Sequence, residues 1–157
     1  MVREICINLL NERGIELSDI VECVVFLQEG YNPNINRETI MEDILGILDK
    51  REVQHTVMTG IAIDKAVEDK SFGNEVICDI IMTDAGLYGL DEVLAYSICN
   101  LYGSIALTNF GYIDRVKPGI IGKLNEPKEG VCNTYLDDVV GAIAAAAASK
   151  HAHKGAY

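Results

Sequence analysis

A chain of 157 residues and 17.2 kDa has the length of one domain and enough residues to bury a core of its own. With 49% hydrophobic and 24% charged residues it is neither disordered nor collagen-like, and five scattered cysteines without a Cys-x-x-Cys pair do not make a disulfide framework. Thirteen Lys plus Arg against 24 Asp plus Glu leave a net charge of -11, whose field repels phosphate polymers and excludes sequence-independent nucleic-acid binding. The thiols read as reduced and the protein as cytoplasmic. The opening MVREICINLLNERG has no apolar h-region and is not a signal peptide, and no apolar run reaches the roughly 18 to 20 residues of a spanning helix, so a soluble chain is expected.

Helical periodicity dominates and alternating β-branched runs are missing, so the expected fold class is all-α, a single-domain multi-helix bundle over residues 1–157. A first helix covers about residues 3–13 and stops at Gly14. A second starts at a Ser18 cap, carries Ile20, Val24 and Leu27 on one stripe and ends near Gly30, before Pro33 breaks the YNPNIN loop. Asn36 caps a third helix on which Ile40, Ile44 and Leu48 recur, widened by Met41, Leu45 and Ile47. From about Lys50, KREVQHTVMTGIAIDKAVE aligns Val53, Val57 and Ile61 beside Met58, Ala62 and Ala66, either continuing the third helix or kinking from it. DKSFGNE reads as a surface loop and VICDIIM as a compact apolar segment closed by Thr83-Asp84-Ala85-Gly86. Residues 90–107 form one helix with the stripe Leu94, Ile98, Leu101 and Ile105, and Pro118 breaks FGYIDRVKPGIIGKLNEPKEG into helix and turns. Thr134 opens the last helix, whose residues 139–148, VVGAIAAAAA, carry no charged or strongly polar side chain. A helix apolar all round is buried all round, so this one belongs at the centre of the bundle.

Acidic residues stand in apolar company at three places. Asp137 and Asp138 lie one turn from the most buried part of the last helix, where an uncompensated carboxylate is costly. Successive helical side chains point about 100° apart, so the two face different neighbours. A bound cation is one compensation; capping is the other, because Thr134-x-x-Asp137 approximates a capping box and acids suit a helix N-terminus. Asp91, on the Leu94 stripe, and Glu92, on the face of Tyr96, Cys99 and Gly103, open the 90–107 helix, where the same two readings apply. Asp114 precedes Arg115 and Lys117, and residues 114–128 hold four of the 13 basic side chains, Arg115, Lys117, Lys123 and Lys128, as a patch able to receive an anion. Acidic clusters on three separate segments are the pattern of a hard-cation site for Mg2+. His151 and His153 read as solvated residues of a fraying tail, His55 as a satisfied structural side chain, and Cys132 as a thiol close to the acidic cluster.

Taken together, G-L-D-E at 89–92, F-G-Y-I-D-R-V-K-P at 110–118 and Y-L-D-D-V-V-G-A at 135–142 resemble, in order and spacing, the phosphatidylglycerophosphatase A family over roughly residues 84–146. KREVQHTVMTGIAID looks like the corresponding part of that family's small soluble relatives. The resemblance implies a multi-helix bundle with a central helix, an acidic site of Asp91, Glu92, Asp114, Asp137 and Asp138, and Lys117 approaching the phosphate. Two departures stand out. The lipid-acting members are membrane-embedded with a Gly-Thr-rich segment near the N-terminus, of which Thr59-Gly60 is a faint echo, and an arginine that often follows the Phe of F-x-x-x-D is Gly111 here.

The expectation is a Mg2+-dependent phosphatase resembling the enzyme that converts phosphatidylglycerophosphate to phosphatidylglycerol. Glu92, Asp114, Asp137 and Asp138 are the expected metal ligands, with one of Asp137 and Asp138 orienting water and Lys117 with Arg115 binding the phosphoryl oxygens. The rival readings are a phosphatase for a small soluble phosphomonoester and a non-catalytic oligomeric helical scaffold. Expected partners are a phosphorylated glycerolipid or small phosphomonoester, further copies of the chain in a homo-oligomer, and a membrane surface touched peripherally.

Overall fold

A computed structural model describes residues 1–155. Among them lie nine helices and, outside the helices, one isolated β-bridge between Lys128 and Val131. The helices are α1 (Val2–Glu12), α2 (Leu17–Gln28), α3 (Arg37–Leu48), α4 (Arg51–Glu68), α5 (Glu75–Met82), α6 (Leu90–Cys99), α7 (Ser104–Val116), α8 (Ile120–Asn125) and α9 (Thr134–Gly155). The fold is all-α, as the periodicity requires.

α9 is the axis of the bundle. It packs against α2, α3, α4, α6, α7 and α8, and every residue from 134 to 149 is buried. Its alanines leave no side chain long enough to hold neighbours away, so the flanking helices supply the bulk through residues such as Ile44, Val57, Ile98 and Phe110. Gly60 on α4 marks one close approach. A Cβ there would lie 3.1 Å from Val139 Cγ2 and 3.6 Å from Tyr135 Cβ. Gly60→Val should push α4 off α9 and cost about 1–3 kcal/mol, read as a lower urea midpoint at unchanged slope.

Several local expectations change. α2 is capped by Glu16, whose N–H donates to Asp19 Oδ2 at 2.9 Å, and Ser18 lies inside its first turn. Asn36 does cap α3, accepting from the N–H groups of Glu38 and Thr39. α3 and α4 are separate helices, divided where Lys50 turns extended. The single 90–107 helix is broken: Leu101 and Tyr102 bond back to Ile98 and Cys99 in tight turns, and Gly103 at φ 90° redirects the chain. The break rotates the stripe, so Ile98 is buried while Leu101 and Ile105 are 40% and 49% exposed.

Two of the three histidines differ from expectation, while His153 is exposed as expected. His55 is exposed. His151 is anchored rather than solvated, its Nδ1 lying 3.0 Å from Oδ2 of the fully buried Asp43, whose other oxygen accepts from Lys154.

Candidate active site

The functional candidates come together at the N-terminal end of α9. Asp137 and Asp138 stand in its first turns, Asp91 and Glu92 in the first turn of α6, and Asp114 in the last turn of α7. Lys117 is the left-handed C-cap of α7 at φ 53°. The turn after α5 adds Asp84, itself at φ 49°. These side chains, with Tyr88 and Asn125, line one cleft of about 180 Å³ that holds six carboxylates and a single lysine.

The capping reading of Asp137 gives way to a different acid. The N–H groups of Tyr135 and Leu136, those a capping side chain would take, donate to Asp64 Oδ1 at 3.0 Å and Oδ2 at 2.9 Å. Thr134 Oγ1 instead donates to the Ile81 carbonyl. Asp64 reaches across from α4 and is fully buried; burial pushes its carboxyl up to about 7 against the pull of the two N–H groups. A neighbouring network holds the turn before α9. Arg13 grips Glu68 through two bonds of 2.9 and 2.6 Å and also donates to the Cys132 carbonyl and Asn133 Oδ1. Cys132 belongs to this support: its Sγ donates to Asp64 Oδ1 at 3.4 Å, and burial pushes the thiol up to about 11, which keeps it protonated and unreactive.

With the helix end satisfied by Asp64, the α9 acids are left to face the cleft. One oxygen each of Asp114, Asp137 and Asp138 lies within 4.8 Å of the others. Asp137 and Asp138 are 4% and 3% exposed. Lys117 Nζ donates to Asp114 Oδ1 at 3.0 Å and Asp137 Oδ2 at 3.2 Å. Burial alone would lower the lysine's pKa, but these two carboxylates outweigh it and keep the ammonium charged. Asp138 is driven well above the carboxylate range by burial, then by hydrogen bonding with Asp91 and the charge of Asp137. Burial also raises Asp137, with Lys117 opposing it. Burial followed by the charges of nearby acids raises Asp84 and Glu92.

This donor set fits a hard divalent cation. Its ligand atoms are carboxylate oxygens, and Asp91 Oδ1 is buried without a hydrogen-bond partner among the described residues. Glu92 lines the same cleft but is exposed and outside the close group of three. Arg115 is exposed and does not line the cleft, so the expected basic patch is not one surface: Lys117 alone enters the acidic site, whereas Lys123 and Lys128 face a different cavity.

Asp64, Asp84 and Arg13 were not candidates from the sequence. Asp64 did carry a signal, since it is the next position, three residues on, along the buried Val53, Val57 and Ile61 stripe. An acid on an apolar stripe demands a partner.

The family described as Phosphatidylglycerophosphatase A matches residues 14–153. The chain is similar to the uncharacterized protein YutG of Bacillus subtilis, at 49% identity over 145 residues covering 92% of this chain and 87% of that protein. The fold is similar to the crystal structure of low temperature requirement C protein from Listeria monocytogenes, with a TM-score of 0.95, 48% identity, and 99% and 98% of the two chains covered. The protein ypjQ from Bacillus subtilis is similar as well, with a TM-score of 0.94, 46% identity, and 99% and 95% covered. No helix among the described residues is long and apolar enough to cross a membrane.

Proposed function

We propose, because the chain belongs to the phosphatidylglycerophosphatase A family, that it is a Mg2+-dependent phosphatase hydrolysing phosphatidylglycerophosphate to phosphatidylglycerol and phosphate at the bilayer surface. The observation that carries this reading is the acidic cleft, where buried Asp91, Asp137 and Asp138 meet Asp114 around one lysine. Asp114, Asp137 and Asp138 would hold the cation, with Glu92 at the exposed side of the cleft as a further ligand. When bound, Mg2+ supplies Lewis-acid stabilisation of phosphate charge and lowers the pKa of water.

The chain's own residues do the rest. Six carboxylates would repel a phosphate dianion, so substrate entry depends on those charges being compensated. Lys117 is held by Asp114 and Asp137, the same acids proposed as ligands. With those acids holding a cation, its ammonium would be placed to bind a phosphoryl oxygen and stabilise charge developing there. Asp91, with its unpartnered Oδ1, is placed to accept a proton from the attacking water and orient it.

A small soluble phosphomonoester is the second reading, favoured by the absence of a spanning helix among the described residues. Phosphate release from phosphatidylglycerophosphate vesicles and from glycerol 3-phosphate, with Mg2+ or with EDTA, separates the two. Mg2+-dependent release from vesicles is expected, with Glu92→Gln about ten-fold or more slower. Release from the soluble ester alone would favour the second reading. Release from neither, under any divalent cation, would overturn the enzyme and leave the oligomeric scaffold.

A further inference from the structure

Away from the acidic cleft, a cavity of about 440 Å³ opens between the end of α2, the loop after it, the first half of α7 and the last turns of α9. It shares no lining residue with the cleft. Ala152, its contribution from α9, lies roughly four turns, or about 21 Å, along the helix from Asp138. Its volume is that of a small-molecule site. Although the chain carries a net charge of -11, no charged side chain lines this cavity.

Gln28 gives the cavity its chemical preference. The residue is 7% exposed, so its carboxamide is largely withdrawn from bulk water. The hydrogen bonds at the end of α2 use its backbone, the Gln28 carbonyl accepting from the N–H groups of Tyr31 at 2.9 Å and Asn32 at 3.0 Å. The carboxamide itself has no partner among the described residues, and it is not sealed into the core, so it faces the cavity. A buried amide left unpaired is costly, and a ligand edge would relieve that cost. Asn109 of α7 repeats the feature in the same lining, its Nδ2 buried without an acceptor among the described residues. Ser104 and Thr108 add hydroxyls, and Thr108 Oγ1, which donates to the Ser104 carbonyl at 3.0 Å, keeps lone pairs for an incoming donor. Tyr31 and Ile105, 87% and 49% exposed, supply an aromatic ring and an aliphatic side chain to the rim.

We propose that this cavity binds an uncharged nucleoside of the adenine type, at a site separate from the acidic cleft. A carboxamide holds a donor and an acceptor side by side in one plane, and its complement is the adenine amino group beside a ring nitrogen. Gln28 pairs with that edge, Tyr31 stacks on the base, and Ser104 and Thr108 take the ribose hydroxyls. A nucleotide fits less well, because its phosphates would approach a strongly acidic protein with no cation in the lining to receive them. The site stands whether or not the acidic cleft is a phosphatase.

Titration calorimetry with adenosine, ribose and ATP, on the wild type, Gln28→Leu and Tyr31→Ala, tests the site. Leucine keeps much of the volume of the buried glutamine without its amide, and Tyr31 is too exposed to hold the fold, so neither variant should melt below the wild type. The wild type should bind one adenosine per chain, ATP no more tightly, and ribose about ten-fold or more weakly. Gln28→Leu and Tyr31→Ala should each weaken adenosine about ten-fold or more, while Asp138→Asn binds it as the wild type does. No adenosine binding at about 5 mM, tighter binding of ATP, or affinity that both cavity variants keep overturns the inference. Loss of adenosine binding in Asp138→Asn also overturns it, by placing the nucleoside in the acidic cleft. Sedimentation supplies an independent check. If the wild type dimerises and Tyr31→Ala is monomeric, the cavity is an interface between copies and not a nucleoside site. Each of these failures leaves the phosphatase reading standing.

Discussion

Asp138→Asn should slow Mg2+-dependent phosphate release by about 10²–10³-fold while leaving the protein in EDTA as stable as the wild type or more so. The two effects have opposite signs because the carboxylate serves the cation and not the fold. Without a cation, burial and the neighbouring Asp91 and Asp137 hold the Asp138 carboxyl far above its ordinary range, so the neutral form is the one the folded protein accepts. Asparagine supplies a neutral group of the same shape. It removes a source of like-charge repulsion and a ligand together. Calorimetry with and without Mg2+ reads the ligand role directly. At Mg2+ a hundred-fold above Kd, the wild type should gain about 2.7 kcal/mol, or roughly 5–10 °C in Tm, and the variant should gain much less. A variant with full turnover and an undiminished Mg2+ shift would remove Asp138 from the site.

The second large effect is on stability and lies one layer behind the site. Asp64→Ala should lower the unfolding free energy by about 2–5 kcal/mol, seen as a Tm fall of roughly 5–15 °C. It strands the N–H groups of Tyr135 and Leu136, both buried, and removes the nearest of the acceptors around the Cys132 thiol. Asp64→Asn should recover part of the loss, since its one carbonyl oxygen can accept one of the two N–H groups. Asp137 and Asp138 ride on the same first turns of α9, so the Mg2+-induced Tm shift should also shrink in Asp64→Asn. Wild-type stability in Asp64→Ala would mean that water replaces the carboxylate at the helix end.

The candidate site was legible unevenly. The acids of 89–92, 110–118 and 135–142 are visible as charges in apolar surroundings, and all of them reach one cleft. Arg115 looked equivalent to Lys117 in sequence, yet the left-handed Lys117 aims its ammonium at Asp114 and Asp137 whereas Arg115 faces solvent. Two residues along a helix end is a large rotation, and only the packed position of α7 says which one faces inward.

What the sequence determined by itself is the all-α class and the depth of α9, because helical periodicity and an all-apolar surface are properties of each segment alone; where the helices break at Lys50 and at Gly103 it did not determine. Residues 139–148 have no polar face to offer water, whatever their neighbours. The tertiary structure decided the partners of the buried charges. Asp64 caps a helix 71 residues away, Arg13 holds a turn 119 residues away, and Lys123 and Lys128 line a cavity other than the acidic cleft. A charge in low dielectric is stabilised by whatever lies within a few ångströms in space, and chain spacing sets that distance only within a helical turn or two.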